Sequence, residues 1–273
     1  MLKKIAKIGI VLLALSVIIP TGCKDKDQLP PDLPPDGSFV MDFSDFASSN
    51  KSALNITDST DTTYGNFAYS VINVGVWNAI ITVGLAVPVA AFVESFNHEP
   101  ELNDDDWWVW SYSFDVWAAT YTAELHGKVE NNKVNWEMYI SKTGFGAFTD
   151  FLWFKGESDV DNTSGEWTLY NKPTDASELL EITWEAASDG SAANIKYMNI
   201  VPDGPENGGY IQYGKTTDVN YDAFYDIYNK GLENYTKITW NRNTKAGKVQ
   251  DSNFFADEDW HCWDTAFIDV ECE

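Results

Sequence analysis

The chain has 273 residues, of which 44% are hydrophobic and 15% aromatic, and it carries a formal net charge of −24. Such an acidic excess repels phosphate backbones and anionic headgroups, so nucleic acid is excluded as a partner. The surface it implies is a solvated one that attracts divalent cations.

Residues 1–22 have the layout of a secretory signal: Lys3, Lys4 and Lys7, then an apolar segment from Ile8 to Ile19, then small residues before Cys23. The apolar segment falls short of the roughly twenty residues a bilayer span needs, so it is expected to be removed on export. Loss of its three lysines makes the remainder more acidic still. Thr21-Gly22-Cys23 resembles the lipobox of bacterial lipoproteins, in which cleavage leaves the cysteine as the new N-terminus with diacylglycerol on its sulfur. Pro20 stands where that family usually has leucine. The resemblance covers the first two dozen residues and implies lipidation at Cys23, with acyl chains such as palmitate holding the protein on a membrane. The alternative is an ordinary secretory signal with an incidental cysteine. Each buried methylene contributes about 0.8 kcal/mol to such an anchor. Lys24 follows the cysteine where an aspartate would resemble the inner-membrane retention signal, and the Lys/Asp-rich start is similar to the export tag of surface lipoproteins in Bacteroidota. That similarity implies the outer membrane, facing the cell exterior.

Residues 23–37 read as a tether. KDKDQLPPDLPPDG has paired prolines and no apolar periodicity, which indicates an extended spacer. At about 3.1 Å per residue it would reach roughly 40 Å. Residues 38–273 then form a single β-rich domain, because no second low-complexity stretch marks a boundary. Phe39–Phe46 is predicted as its first strand. A polar loop follows, in which Asp58-Ser59-Thr60 and Asp61-Thr62-Thr63 resemble the Bacteroidota sequon for O-glycosylation, with Ser59 and Thr62 as acceptors.

Val74 to Val93 is uncharged throughout and apolar on every face of a helix. A buried helical segment near residues 65–97, enclosed by sheet, is the expectation, with a membrane span or a strand pair as alternatives. Gly84 or Pro88 would kink it or split it into two helices.

From Trp107 onward the apolar period changes to two, as in Val134-Asn-Trp136-Glu-Met138-Tyr-Ile140, with turn chemistry every eight to twelve residues. Short connections join antiparallel neighbours. The fold class is therefore mainly β: an antiparallel meander of about ten strands forming a closed or partly open barrel.

Three tryptophans, Trp107, Trp108 and Trp110, follow an aspartate run and are candidates for an exposed glycan platform, against edge packing as the plainer reading. Asp104–Asp106 and the stretch from Asp159 to Glu166 offer oxygen donors for calcium but miss the spacing of the twelve-residue calcium loop. His98, His126 and His261 stand beside no evident nucleophile. Glu137 with Glu181, or Glu181 with Glu185, would flank a glycosidic bond only if the strands aligned them. An exported chain with Cys262 and Cys272 near its C-terminus points to a disulfide between them; a metal site using His261, Cys262 and Asp259 or Asp264 is the rival. Together these features suggest a non-enzymatic outer-membrane lipoprotein that binds an unidentified ligand, a glycan among the candidates. An amphiphile carrier with a helical lid over an open barrel, and a structural partner of an outer-membrane complex, are the alternatives.

Overall fold

A computed structural model describes residues 29–41, Phe43, Phe46, 63–186 and 192–272. The leader, Cys23 and the acceptors Ser59 and Thr62 lie outside the described residues.

Period-two alternation builds one antiparallel sheet of fourteen strands in sequential order. They are β1 (Glu101–Leu102), β2 (Trp108–Val116), β3 (Ala119–Glu130), β4 (Lys133–Lys142), β5 (Phe148–Asp159), β6 (Ser164–Lys172) and β7 (Asp175–Ala186), then β8 (Ala192–Asn199), β9 (Tyr210–Lys215), β10 (Ala223–Asn229), β11 (Asn234–Trp240), β12 (Gly247–Gln250), β13 (His261–Trp263) and β14 (Asp269–Val270). In β2, for example, Trp110, Tyr112, Phe114 and Val116 are buried while Ser111, Ser113 and Asp115 face out. Fourteen strands replace the expected ten or so; β2–β11 have six residues or more each. The other four have two to four residues, too few to show a period.

The sheet is not closed, which corrects the barrel expectation: β1 pairs only with β2, and β14 only with β13. Helices join its ends instead. Helix α1 (Gly65–Gly84) packs on β12–β14, and helix α2 (Ala86–Ser95) packs on β2 and β3, with buried Leu85 between them. The chain thus breaks directly after Gly84. The start of α1 has no cap from Tyr64; Asp269 of β14 supplies one, accepting the N–H groups of Gly65 at 2.9 Å and Asn66 at 3.0 Å.

Helix α1 is not enclosed. Phe67, Ser70, Val74 and Ile81 form its buried stripe, whereas Ile72, Val76, Ile80 and Val83 are 53–69% exposed. By length and composition α1 is apolar enough to cross a membrane. A sequence apolar on all sides carries no sign of which side the sheet covers.

The segment around Phe39–Phe46 also departs from expectation. Phe39, Met41 and Phe43 are buried, and Val40 between them is exposed, yet its described residues pair with no strand. It lies in the concavity, where side chains replace a ladder. Trp167 Nε1 donates to the Ser38 carbonyl at 3.0 Å, and the Tyr197 hydroxyl donates to the Phe39 carbonyl and accepts from the Met41 N–H, both at 2.9 Å. Before it, Pro34 is buried, and Asn162 Nδ2 donates to the carbonyls of Asp32 and Leu33.

Glycines face aromatic rings across the sheet. Gly127 lies opposite Trp136, Gly156 opposite Trp167, Gly165 opposite Trp184, and Gly247 opposite Trp263. At each, an added Cβ would run into the partner's indole. The indoles therefore pack directly against the glycine backbone, where a side chain would exclude them.

Candidate functional site

Strand alternation divides the three tryptophans. Trp110 is 3% exposed and meets Trp136 in the core at 5.8 Å; Trp108 is half-buried against the same core; Trp107 turns outward to His126, with Lys128 Nζ 5.7 Å from its ring. They form no common surface.

The carboxylate pairs separate likewise. Glu137 and Glu181 lie three strands apart, about 14 Å, and Glu181 and Glu185 lie four residues apart along one strand, about as far. Glycoside cleavage needs carboxyl groups about 5–9.5 Å apart. Each histidine has its own carboxylate: His98 with Glu94 at 3.1 Å, His126 with Glu124 at 3.3 Å, His261 with Asp257 at 3.0 Å. Among the described residues no three His, Cys, Asp or Glu side chains gather as metal ligands. Asp159 instead pairs with Lys133 at 2.9 Å and accepts from Ser164 at 2.6 Å. Cys262 and Cys272 are bonded to each other, with Cα atoms 5.3 Å apart.

A different set of residues converges on the outer face of β9–β13. In β10 the outward positions are Phe224, Asp226 and Tyr228. Register places Phe224 between Gly214 and Thr239, with Lys248 beyond Thr239. The next outward row reads Gln212, Asp226, Lys237, Gln250. Gly214 leaves room for the Phe224 ring, which a Cβ there would strike. The result is a cleft of about 710 Å³, walled by Tyr221 and Trp260 and floored by Phe224 and Thr239, with Asp226 and Lys237 at one side.

The walls are held in place. Lys248 Nζ sits between two rings, 4.7 Å from the centroid of Tyr221 and 4.6 Å from that of Trp260. Asp218 accepts the N–H groups of Asn220 and Tyr221, which lowers its pKa and fixes the loop 216–222. Arg242 grips Asp222 through both Nε, at 3.0 Å, and Nη2, at 2.9 Å.

Asp226 is the group with unspent capacity. Burial raises its pKa, Lys237 offsets this only in part, and among the described residues no hydrogen bond reaches its carboxylate. In the neighbouring row the Thr239 hydroxyl is buried and, among the described residues, unpartnered. A half-buried carboxylate without a donor is costly, and a ligand that donates to Asp226 recovers that cost.

Two other hollows lack this combination. One of about 400 Å³ around Lys133, Glu157, Glu166 and Lys196 is polar, and its single aromatic, Trp184, is 2% exposed. The other, about 430 Å³ between α1, α2 and Val40–Phe43, is apolar. Phe39, Met41, Phe43 and Phe46 are buried in the core cluster, and Met41 and Phe43 also line the apolar hollow.

The cleft residues escaped sequence reading because they come from five separate segments. One signal was present: aromatic residues at the outward phase of an alternating strand, Phe224 and Tyr228. The chain matches no family model, and neither a curated protein nor a solved structure is similar to it.

Proposed function

We propose that this chain is a lipid-anchored, non-enzymatic binding protein of the outer membrane, and that the β9–β13 cleft takes a neutral saccharide. The observation that carries the reading is the Asp226 carboxylate, half-buried and without a donor, in a cleft walled by aromatic rings. A sugar ring supplies hydroxyl donors for Asp226, an acceptor for Lys237 and an apolar C–H face for Phe224 or Trp260. A cationic ligand fits less well, since Lys248 already occupies the place between Tyr221 and Trp260. Glycoside cleavage is not part of the reading. The other carboxylate at the cleft, Asp218, is committed to backbone N–H groups, which leaves Asp226 alone where the chemistry requires a pair.

The test is binding of the purified full-length protein to an array of neutral saccharides, with Asp226→Asn and Trp260→Ala alongside. The reading expects at least one saccharide to bind and each variant to weaken it about tenfold, a change of about 1.4 kcal/mol. No binding by the wild type, or equal binding by both variants, rejects it.

A second reading, a structural partner of an outer-membrane complex, draws support from the exposed, uncharged face of α1 at Ile72, Val76, Ile80 and Val83. A photo-crosslinking group at Val76 in the native cell checks it: a discrete protein adduct supports the reading, and its absence removes it.

A further inference from the structure

The cleft does not end at Lys237. Lys237 also lines a second hollow of about 310 Å³, together with Glu233, Tyr235, Gln250, Ser252 and Asn253. Along β10 and β11 the outward rows alternate in character. Phe224 and Thr239 come first, Asp226 and Lys237 next, Tyr228 and Tyr235 last. Tyr228 stacks on Tyr235 at 4.5 Å, and Tyr235 is 53% exposed. Tyr210, in register with Tyr228, has its pKa raised by burial and then by the charge of Asp226, so the tyrosine row stands within electrostatic reach of the cleft carboxylate. Its ring is covered by Lys196 Nζ at 4.0 Å, which leaves Tyr235 as the open face of the row.

We infer that the two hollows act as one groove, with Lys237 at its midpoint, and that the ligand is a linear oligosaccharide running along the strands and resting a second ring on Tyr235. This rests on the saccharide reading above. From Phe224 to Tyr228 is four residues, about 14 Å at roughly 3.4 Å per residue, farther than one sugar ring extends. A single unit therefore occupies one aromatic row, and only a chain reaches both. Glu233, Ser252 and Asn253 line the outer hollow with acceptors and hydrogen-bond donors suited to hydroxyls. The polar row between two aromatic rows matches a polymer whose ring faces and hydroxyl edges recur along its length.

The deciding experiment uses purified full-length protein and the hydrolysate of whichever neutral polysaccharides the array contains, size-fractionated into pools of two and six units. The six-unit pool should bind about tenfold more tightly. Tyr235→Ala should abolish that difference while leaving two-unit binding unchanged, and Tyr235→Phe, which keeps the ring, should preserve it. Near-UV circular dichroism confirms the fold of both variants. Equal affinity for the two pools, or a Tyr235→Ala loss that is the same for both, overturns the extended groove and leaves the saccharide reading standing. Absence of binding by either pool overturns both.

Discussion

The hydroxyl of Tyr197 donates to the carbonyl of Phe39 at 2.9 Å inside a fully buried setting, and the same oxygen accepts the N–H of Met41. One side chain on β8 thus replaces two ladder bonds that the Phe39 segment would have had in a sheet. Tyr197→Phe removes the oxygen and leaves a buried carbonyl and a buried N–H unpaired. The expected cost is about 1–3 kcal/mol. Urea unfolding should show a lower midpoint at an unchanged slope. A loss below about 0.5 kcal/mol would mean that these two bonds contribute little to holding the segment on the sheet.

Two glycine substitutions should have opposite signs. At Gly156 an added Cβ would collide with the Glu166 carbonyl and the Trp167 indole, and backbone cannot move aside as a flexible side chain can. Gly156→Ala is expected to cost about 3 kcal/mol or to prevent folding. At Gly75, within α1, nothing lies within 4 Å of the added atom, and alanine is the better helix former. Gly75→Ala should stabilise by about 0.5–1 kcal/mol. Thermal denaturation of the pair decides it, and a destabilised Gly75→Ala would reveal a neighbour pressed against that face.

The contrast between these glycines reflects what the sequence makes legible. Strands β2–β11 announce themselves through alternation, because each has enough residues to repeat it. The helix is equally visible from its uncharged run, but not its orientation, since Ile72 and Val74 look alike and only packing buries one of them. Phe39, Met41 and Phe43 alternate as a strand does because period two reports which side chains are buried, not whether the backbone has a partner. Trp107, Trp108 and Trp110 are close in sequence and yet divided by the pleat. Asp226, Lys237, Lys248 and Trp260 are distant in sequence and joined by register alone, which no local pattern encodes.

Stability should fall on the alkaline side through buried tyrosines. Burial, and then the hydrogen bond to Asp251, push the Tyr69 hydroxyl up to about 12; burial, and then Glu137, push Tyr139 up to about 12. The ordinary value is 10.0. Below it both folded and unfolded chains keep these groups neutral, so their stabilising contribution is complete. Between pH 10 and 12 only the unfolded chain ionises, and stability declines. Burial raises Tyr112 and Tyr197 in the same direction. The melting temperature should therefore drop steeply above pH 10, and less steeply for Tyr69→Phe combined with Tyr139→Phe. An equally steep drop in that variant would assign the decline to other groups.

Acid acts through Asp251, buried where β12 meets the helix α3 (Ser252–Phe255). Burial raises its pKa, but hydrogen bonds from Thr236, Tyr69, Asn234 and the Phe254 N–H outweigh this and hold it below the ordinary 3.8. A depressed carboxyl contributes stability above the unfolded value and loses it as pH falls through the folded one. Asp251→Asn should be less stable than wild type at pH 7, and the difference should shrink below about pH 4. A gap that persists undiminished in acid would show that the residue acts through shape alone.

The disulfide and the helix cap form one device. Cys272 follows β14, the two-residue strand that presents Asp269 to the first N–H groups of α1. By loop closure alone, the Cys262–Cys272 link contributes roughly 2–3 kcal/mol. Reduction should free β14 before it affects the long strands, and α1 would lose its cap with it. Hydrogen exchange under mild reductant is expected to accelerate first at Gly65, Asn66 and the following turn, while amides of β4 and β5 stay protected. Asp269→Ala in the oxidised protein should reproduce the acceleration at Gly65 and Asn66, at a cost of about 0.5–2 kcal/mol, without changing exchange at Cys262. Acceleration spread evenly over the sheet on reduction would mean that the bond secures the whole domain, not the hinge between its last strand and its first helix.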